Sequence, residues 1–282
     1  MDFKGSRILI AGLGLIGGSA AKAFKQKGYK HISAFDRDEE TLSKAKKDGV
    51  IEEGYTNLSG VIEKFDFVLC CLSPIFVLPL YKSAAPYLKE GGVFAEVGGI
   101  KTVMVRELEE AVQTGHELLS LHPMAGSEKT GFNYSKSDMF SGSVLVITPG
   151  RKTGSSAKKW AEIVYKELGF ADIKELSPEK HDEIIAKVSH LPHVLALCLK
   201  SMNMHEDNEK YAGGSYKSAT RVAEINSALW AGLMSDNAEF LLRSIKEFEE
   251  QLDVLKKSIK KADYNELKIQ LDKMSGRSGG AL

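Results

Sequence analysis

Residues 7–28 read RILIAGLGLIGGSAAKAFKQKG, and their order decides the fold. Arg7–Ala11 is a short apolar run of the kind a buried parallel strand uses, and it stops at Gly12. Gly12, Gly14 and Gly17 then fall into G-x-G-x-x-G spacing, and Ser19–Lys27 continues as a helix that closes at Gly28. The spacing has mechanical grounds. Gly12 permits a tight turn, Gly14 lets backbone approach a pyrophosphate, and Gly17 lets the helix pack close against the strand. The helix N-terminus, at Leu15 and Ile16, then offers unpaired N–H groups to the phosphates. A second run, His31–Phe35, ends in Asp36, about 20 residues beyond the glycines, where a carboxylate would hold a ribose 2′-hydroxyl. A glycine-rich turn that only tightens a strand–helix unit would explain the glycines, but not strand, helix and acid together. Asp36 would repel a 2′-phosphate, so NAD is the expected cofactor. NADP ranks behind it, because Arg37 directly after the acid can offset that repulsion.

Outward from this unit the alternation continues. Glu39–Asp48 reads as a helix, and Phe65–Leu72 (FDFVLCCL) as a strand covered on both faces. Ser73-Pro74 ends that strand at the sheet's carboxyl edge, where doubly wound folds place ligands. Val93–Val97 is a further strand closing on Gly98-Gly99, and Val103–Thr114 is a helix. Glu117–Leu121 is the next strand, with His122 at its end, followed by the polar, turn-forming PMAGSEKTGF. Strand–helix alternation therefore places His122 at the same edge as Gly12–Gly17, Ser73, Pro74 and Gly98, beside a nicotinamide. Ser143–Thr148 adds a strand and Ser155–Leu168 a helix.

At 282 residues the chain suits two domains. Its 43% hydrophobic and 27% charged composition is that of a globular protein. Lys and Arg balance Asp and Glu at 38 each, so nothing favours nucleic acid or a membrane surface as partner. Cys70, Cys71 and Cys198 make no disulfide framework, since neighbours in a strand point to opposite faces. With no apolar run of membrane length, a cytoplasmic protein is expected. The fold class expected is α/β: a Rossmann-type doubly wound domain over residues 1–176, an all-helical domain over 177–273 for substrate binding and dimerisation, and a disordered tail over 274–282.

After Ser177-Pro178, a good cap and first-turn pair, strand-like runs stop. Residues 178–204 read as an amphipathic helix interrupted by Pro192. Met234, Ala238, Leu241, Ile245, Phe248, Leu252, Leu255 and Ile259 recur at steps of four and three, the mark of one long helix packed along a seam. That seam belongs either to an internal bundle or to a dimer interface. His190 and His193 in SHLPH share a helix face. They lack third and fourth partners at metal-ligand spacing, so no metal is expected. GGSYKSATR, residues 213–221, is a glycine-led polar loop whose Arg221 can clamp a carboxylate.

Together GLGLIGGS, HPMAGSEKTGF, SHLPH and GGSYKSATR closely resemble the prephenate dehydrogenase family of tyrosine biosynthesis, over nearly the whole chain. The resemblance implies NAD(P)-dependent oxidative decarboxylation of prephenate to 4-hydroxyphenylpyruvate, with arogenate as the alternative substrate, and a homodimer formed through the helical domain. It makes His122 the catalytic histidine, a neutral acceptor of the substrate hydroxyl's hydrogen bond. It sets Ser127 and Glu128 on the substrate side of the loop, and His193 and Arg221 as substrate contacts from the helical domain. One departure stands out: in EVGGIKT, Gly99 occupies a place where many relatives carry serine, so a water, Ser127 or Ser73 is expected to stand in. Any tyrosine inhibition is expected at the active site itself. Two rivals remain. Another two-domain hydroxyacid dehydrogenase would rely on a lysine base, which neither Lys187 nor Lys200 suggests. A non-catalytic nicotinamide-nucleotide sensor would need neither His122 nor Arg221.

Overall fold

The computed structural model describes residues 3–127, 129–202 and 210–276. Among them are eight strands: β1 (Ile8–Ala11), β2 (Ile32–Phe35), β3 (Glu53–Tyr55), β4 (Phe67–Cys70), β5 (Val93–Glu96), β6 (Glu117–Pro123), β7 (Val144–Ile147) and β8 (Asp172–Glu175). They form one sheet in the order β3-β2-β1-β4-β5-β6-β7-β8. Neighbours from β3 through β6 are parallel. Alternate residues of β1 face opposite cores, because strand side chains alternate sides. Ile8 and Ile10 pack with α1 (Leu15–Gln26), α2 (Glu39–Lys47) and α5 (Ser155–Glu167), while Leu9 and Ala11 pack with α3 (Pro74–Ala84) and α4 (Thr102–Ala111). Burial on both faces is the reason the inner strands read as continuous apolar runs. The chain leaves β1 toward β2 on one side and resumes at β4 on the other. This reversal opens a crevice beyond the carboxyl ends of β1 and β4.

The edges depart from the sequence reading. β3 and β8 were not expected, and both are short, partly exposed outer strands. An outer strand needs little apolar sequence, and charged residues there block edge-to-edge association. The helix α3 was also missed, since PIFVLPLYKSA is apolar on most sides and holds Pro79 inside it. The strand β6 runs two residues farther than expected, so His122 lies within it rather than beyond its end. Its first half pairs with β5 up to Ser120, whereas Leu121, His122 and Pro123 pair antiparallel with β7. His122 thus projects past the end of β5 on a strand anchored from the other side.

Beyond β8 come α6 (Pro178–Ile185), a π turn (Ala186–His190) and α7 (Leu191–Met202). The Ser177 hydroxyl accepts from the Lys180 N–H and caps α6, as its sequence indicated. The interruption expected at Pro192 takes the form of that π turn. Proline has no N–H to donate and its ring crowds the carbonyl four residues back, which a wider turn relieves. Residues 213–221 are helical rather than looped: α8 covers Gly214–Thr220, and Arg221 opens a 3-10 turn. The expected single seam helix is two, α9 (Ser227–Asp236) and α10 (Ala238–Lys261), broken at Asn237. A final helix, α11, covers Tyr264–Met274; of the tail expected to be disordered, 277–282 lie outside the described residues. Among the described residues no helix is long and apolar enough to cross a membrane.

Candidate active site

The glycine loop has the close approaches that its spacing indicated. Gly12 has φ of +95°, and a Cβ there would meet Leu72 Cδ2 at 2.9 Å and the Cys71 carbonyl oxygen at 3.0 Å. A Cβ on Gly17 would stand 1.9 Å from the Gly12 carbonyl oxygen, so only glycine lets α1 lie this close to β1. Gly14 faces open space, with nothing among the described residues within 4 Å of its would-be Cβ. It is also the N-cap of α1, and among the described residues no side chain caps the first-turn N–H groups. Open backbone and uncapped donors together form a cradle suited to a pyrophosphate. Asp36 stands at the rim: its Oδ2 accepts from the Leu13 N–H at 2.8 Å and its Oδ1 from the Asp38 N–H at 3.0 Å. Beside it, Phe35, Leu58, Leu80 and Tyr87 help to line a cavity of about 210 Å³ at the carboxyl ends of β2 and β3. These residues fit a dinucleotide. Arg37 is exposed next to Asp36. Ser73 caps α3 by position but its hydroxyl makes no capping bond, and with Pro74 it lines a largely apolar cleft of about 440 Å³ between α3, α4 and α9. The Gly98 N–H is already held by Glu96 Oε2 at 2.6 Å, so this residue fixes the turn after β5.

Across the crevice, His122 sits at the start of a chain of buried polar groups. Its Nδ1 lies 2.7 Å from His181 Nε2, and His181 Nδ1 lies 2.6 Å from Asp182 Oδ1. Asp182 in turn accepts from the Lys101 N–H at 2.9 Å and the Thr102 N–H at 2.7 Å, capping α4 from the neighbouring helix α6. The Asn237 side-chain amide donates to the Asp182 carbonyl at 3.0 Å, so the residue that breaks the seam also ties α6 down. His181, Asp182 and Asn237 are almost fully buried, and His122 is half-buried at the crevice. Behind them, the Lys101 ammonium donates to Glu96 Oε1 and to the Leu121 carbonyl, each at 2.6 Å, and Ser120 donates to the same carboxylate oxygen. Lys101 and Glu96 are both fully buried.

The electrostatics follow from this packing. Burial first, then the nearby Lys101 and His181, hold His122 well below the ordinary histidine range, so at neutral pH it is an uncharged imidazole. Burial alone would raise the Asp182 carboxyl. Hydrogen bonds from His181, Thr102 and Lys101 bring it below its ordinary value, leaving an ionised carboxylate. Burial pulls the Lys101 ammonium down, opposed by Glu96. A neutral imidazole with one nitrogen engaged can accept a proton at the other.

The sequence-derived residues divide into groups. His122 meets the crevice edge as expected. His193 keeps its Nδ1 on the Ser189 carbonyl at 2.8 Å and lies against Trp230, with ring centroids 3.8 Å apart. Ser127 is exposed, its hydroxyl accepting from the Lys129 N–H, and Glu128 lies outside the described residues. Arg221 is exposed and lines a cavity of about 390 Å³ with Lys200, Tyr216, Lys217 and Glu224, where the buried Tyr216 hydroxyl has no partner among the described residues. Gly99 has room for a larger residue, since among the described residues a Cβ would touch only Leu233 Cδ2 at 3.5 Å. His181, Asp182, Lys101, Trp230 and Asn237 were missed. The pair His181-Asp182 follows the Ser177-Pro178 cap by one turn, but nothing in its spacing separates it from an ordinary polar helix face.

Two family models match the chain: prephenate dehydrogenase, nucleotide-binding domain, over residues 20–172, and prephenate dehydrogenase, dimerization domain, over residues 177–273. Prephenate dehydrogenase of Bacillus subtilis is 29% identical, the match covering 92% of this chain and 72% of the relative. Cyclohexadienyl dehydrogenase of Zymomonas mobilis is 30% identical over 91% of this chain and 89% of the relative. Among solved structures, prephenate dehydrogenase from A. aeolicus in complex with hydroxyphenyl propionate and NAD+ superposes with a TM-score of 0.89. It is 31% identical over 96% of each chain.

Proposed function

This chain belongs to the prephenate dehydrogenase family of oxidoreductases, and from that premise we propose that it carries out the NAD-dependent oxidative decarboxylation of prephenate to 4-hydroxyphenylpyruvate. The observation that carries the reading is a neutral His122 at the carboxyl edge of the sheet, its Nδ1 engaged by His181. NAD+ in the similar A. aeolicus structure and the carboxylate of Asp36 at the loop rim support NAD over NADP.

The glycine loop, the first turn of α1 and Asp36 would hold the dinucleotide, and Ser73 and Pro74 would flank its nicotinamide end. A bound nicotinamide would supply the acceptor for the hydride on the ring carbon that bears the substrate hydroxyl. His122 accepts the hydroxyl's hydrogen bond through Nε2 and draws off positive charge as that carbon becomes carbonyl-like. As the ring-to-carboxylate bond breaks, its electron pair completes the aromatic ring, carbon dioxide leaves, and the proton held toward His122 returns to the phenol oxygen. Aromatisation supplies the driving force, so His122 has to polarise and align. Ser127 and Glu128 contribute to substrate binding, and His193 and Arg221 bind substrate from the helical domain, Arg221 holding a carboxylate. The nucleotide-binding part spans residues 1–176, and residues 177–273 form the substrate-binding and dimerisation part of a homodimer. Arogenate is the second reading, favoured by the likeness to cyclohexadienyl dehydrogenase.

The test is a matrix of prephenate or arogenate with NAD+ or NADP+, followed by reduced nicotinamide absorbance. Turnover is expected with prephenate and NAD+. His122→Asn should lower kcat by about 10²–10⁴-fold, roughly 3–5 kcal/mol of barrier, with little change in KM. Silence in all four combinations, from folded protein that binds NADH, would overturn the enzymatic reading in favour of a nucleotide sensor.

A further inference from the structure

We propose that His181 and Asp182 are positioning residues that fix which ring nitrogen of His122 carries the proton. The inference rests on the role given to His122 above and names the device that makes that role available.

Asp182 is an acceptor only, and it is held in place by the Lys101 and Thr102 N–H groups at the start of α4. Its Oδ1 therefore requires a proton on His181 Nδ1, 2.6 Å away. With that as its one ring proton, His181 presents a lone pair at Nε2. That lone pair faces His122 Nδ1 at 2.7 Å, and the proton between them must belong to His122. His122 is thereby held with Nδ1 protonated and Nε2 bare, the form in which Nε2 accepts the substrate hydroxyl. A free histidine side chain prefers the opposite tautomer, with Nε2 protonated, so this arrangement has to be imposed. Two elements impose it on the β6 imidazole: the His181-Asp182 pair of α6 and, through Asp182, the amino end of α4. Asn237 adds a further anchor through the Asp182 carbonyl.

A role confined to capping α4 would involve the Asp182 carboxylate and leave the His122 tautomer indifferent to His181. Nitrogen-15 spectra of the full chain labelled at histidine separate the two. The wild-type His122 is expected to show a protonated Nδ1 and a bare Nε2 with no substrate present. In His181→Leu the Nδ1–H form should give way to the Nε2–H form, and kcat should fall by about 10²-fold with KM little changed. His181→Gln offers an amide oxygen in place of Nε2 and should restore the Nδ1–H signature and most of kcat. A wild-type His122 with bare Nδ1, or a tautomer unmoved in His181→Leu, overturns the proposal. So does a His181→Gln enzyme no better than His181→Leu. If His181→Leu does not fold, the wild-type and His181→Gln spectra decide. Because the spectra are read without turnover, a wild type inactive on every substrate would sink the proposed function without touching this measurement.

Discussion

At the scale of single residues, chemistry depends on what holds each functional atom. Asp36 shows this. Both of its carboxylate oxygens accept backbone N–H groups, so its charge is fixed beside the glycine loop rather than swinging in solvent. A fixed charge discriminates between a hydroxyl and a phosphate more sharply than a mobile one, since it cannot retreat from the unfavourable partner. Asp36→Asn keeps an acceptor for the Leu13 N–H while removing the repulsion, and it leaves Arg37 free to meet a phosphate. The ratio of kcat/KM for NADP+ over NAD+ should rise by about tenfold or more, at least ~1.4 kcal/mol of specificity. An unchanged ratio would take Asp36 out of cofactor selection. Asp36 and His122 were legible in sequence because each ends or nearly ends an apolar run. His181 was not, because its meaning lies in a ring 59 positions away.

At the scale of elements, the segment α6, π turn and α7 packs titratable rings into the interior. His190 closes the π turn, is 2% exposed, and meets Trp230 edge-on with centroids 5.6 Å apart. Burial, with His193 adding to it, lowers its pKa from 6.5 to about 4. In the unfolded chain it takes up a proton near pH 6.5, whereas in the folded chain it resists until about pH 4. Its contribution to stability is therefore complete above about pH 6.5 and is lost as pH falls toward 4, at ~1.4 kcal/mol per unit and roughly 3 kcal/mol in all. The urea midpoint should fall steadily from pH 7 to pH 4.5, with His122 contributing in the same direction. His190→Gln should flatten part of that slope, and an identical slope would assign the acid sensitivity elsewhere. The sequence marked SHLPH and the proline interruption within it. It did not mark the π turn, which is a compromise between Pro192 and the packing on both sides.

At the scale of the whole molecule, the seam on α10 divides. Leu241 is buried within the chain, and this end of the helix packs on α6, the π turn and α7. Toward the other end Leu252 and Ile259 are exposed, and Ile269 of α11 is 68% exposed. The internal-bundle reading holds at one end of the helix, while the other end leaves apolar side chains exposed, which we propose face a second copy. Sedimentation at micromolar concentration is expected to show a dimer, and Leu252→Asp paired with Ile259→Asp should shift it toward monomer. A wild-type monomer under those conditions would overturn the homodimer.

The sequence by itself determined the alternation of strands and helices, the glycine loop, the acid beside it and the nearness of His122 to the crevice. Each of these follows from spacing along a few consecutive turns, where local geometry and burial leave few alternatives. The outer strands β3 and β8 escaped because exposure frees them from an apolar pattern. Only the tertiary structure decided that α6 docks against the amino end of α4, that Asp182 caps a helix it does not belong to, and that His181 reaches His122. Those contacts form when one layer buries its face on another. Their energy comes from excluding water around paired polar groups, and no stretch of chain carries that information alone.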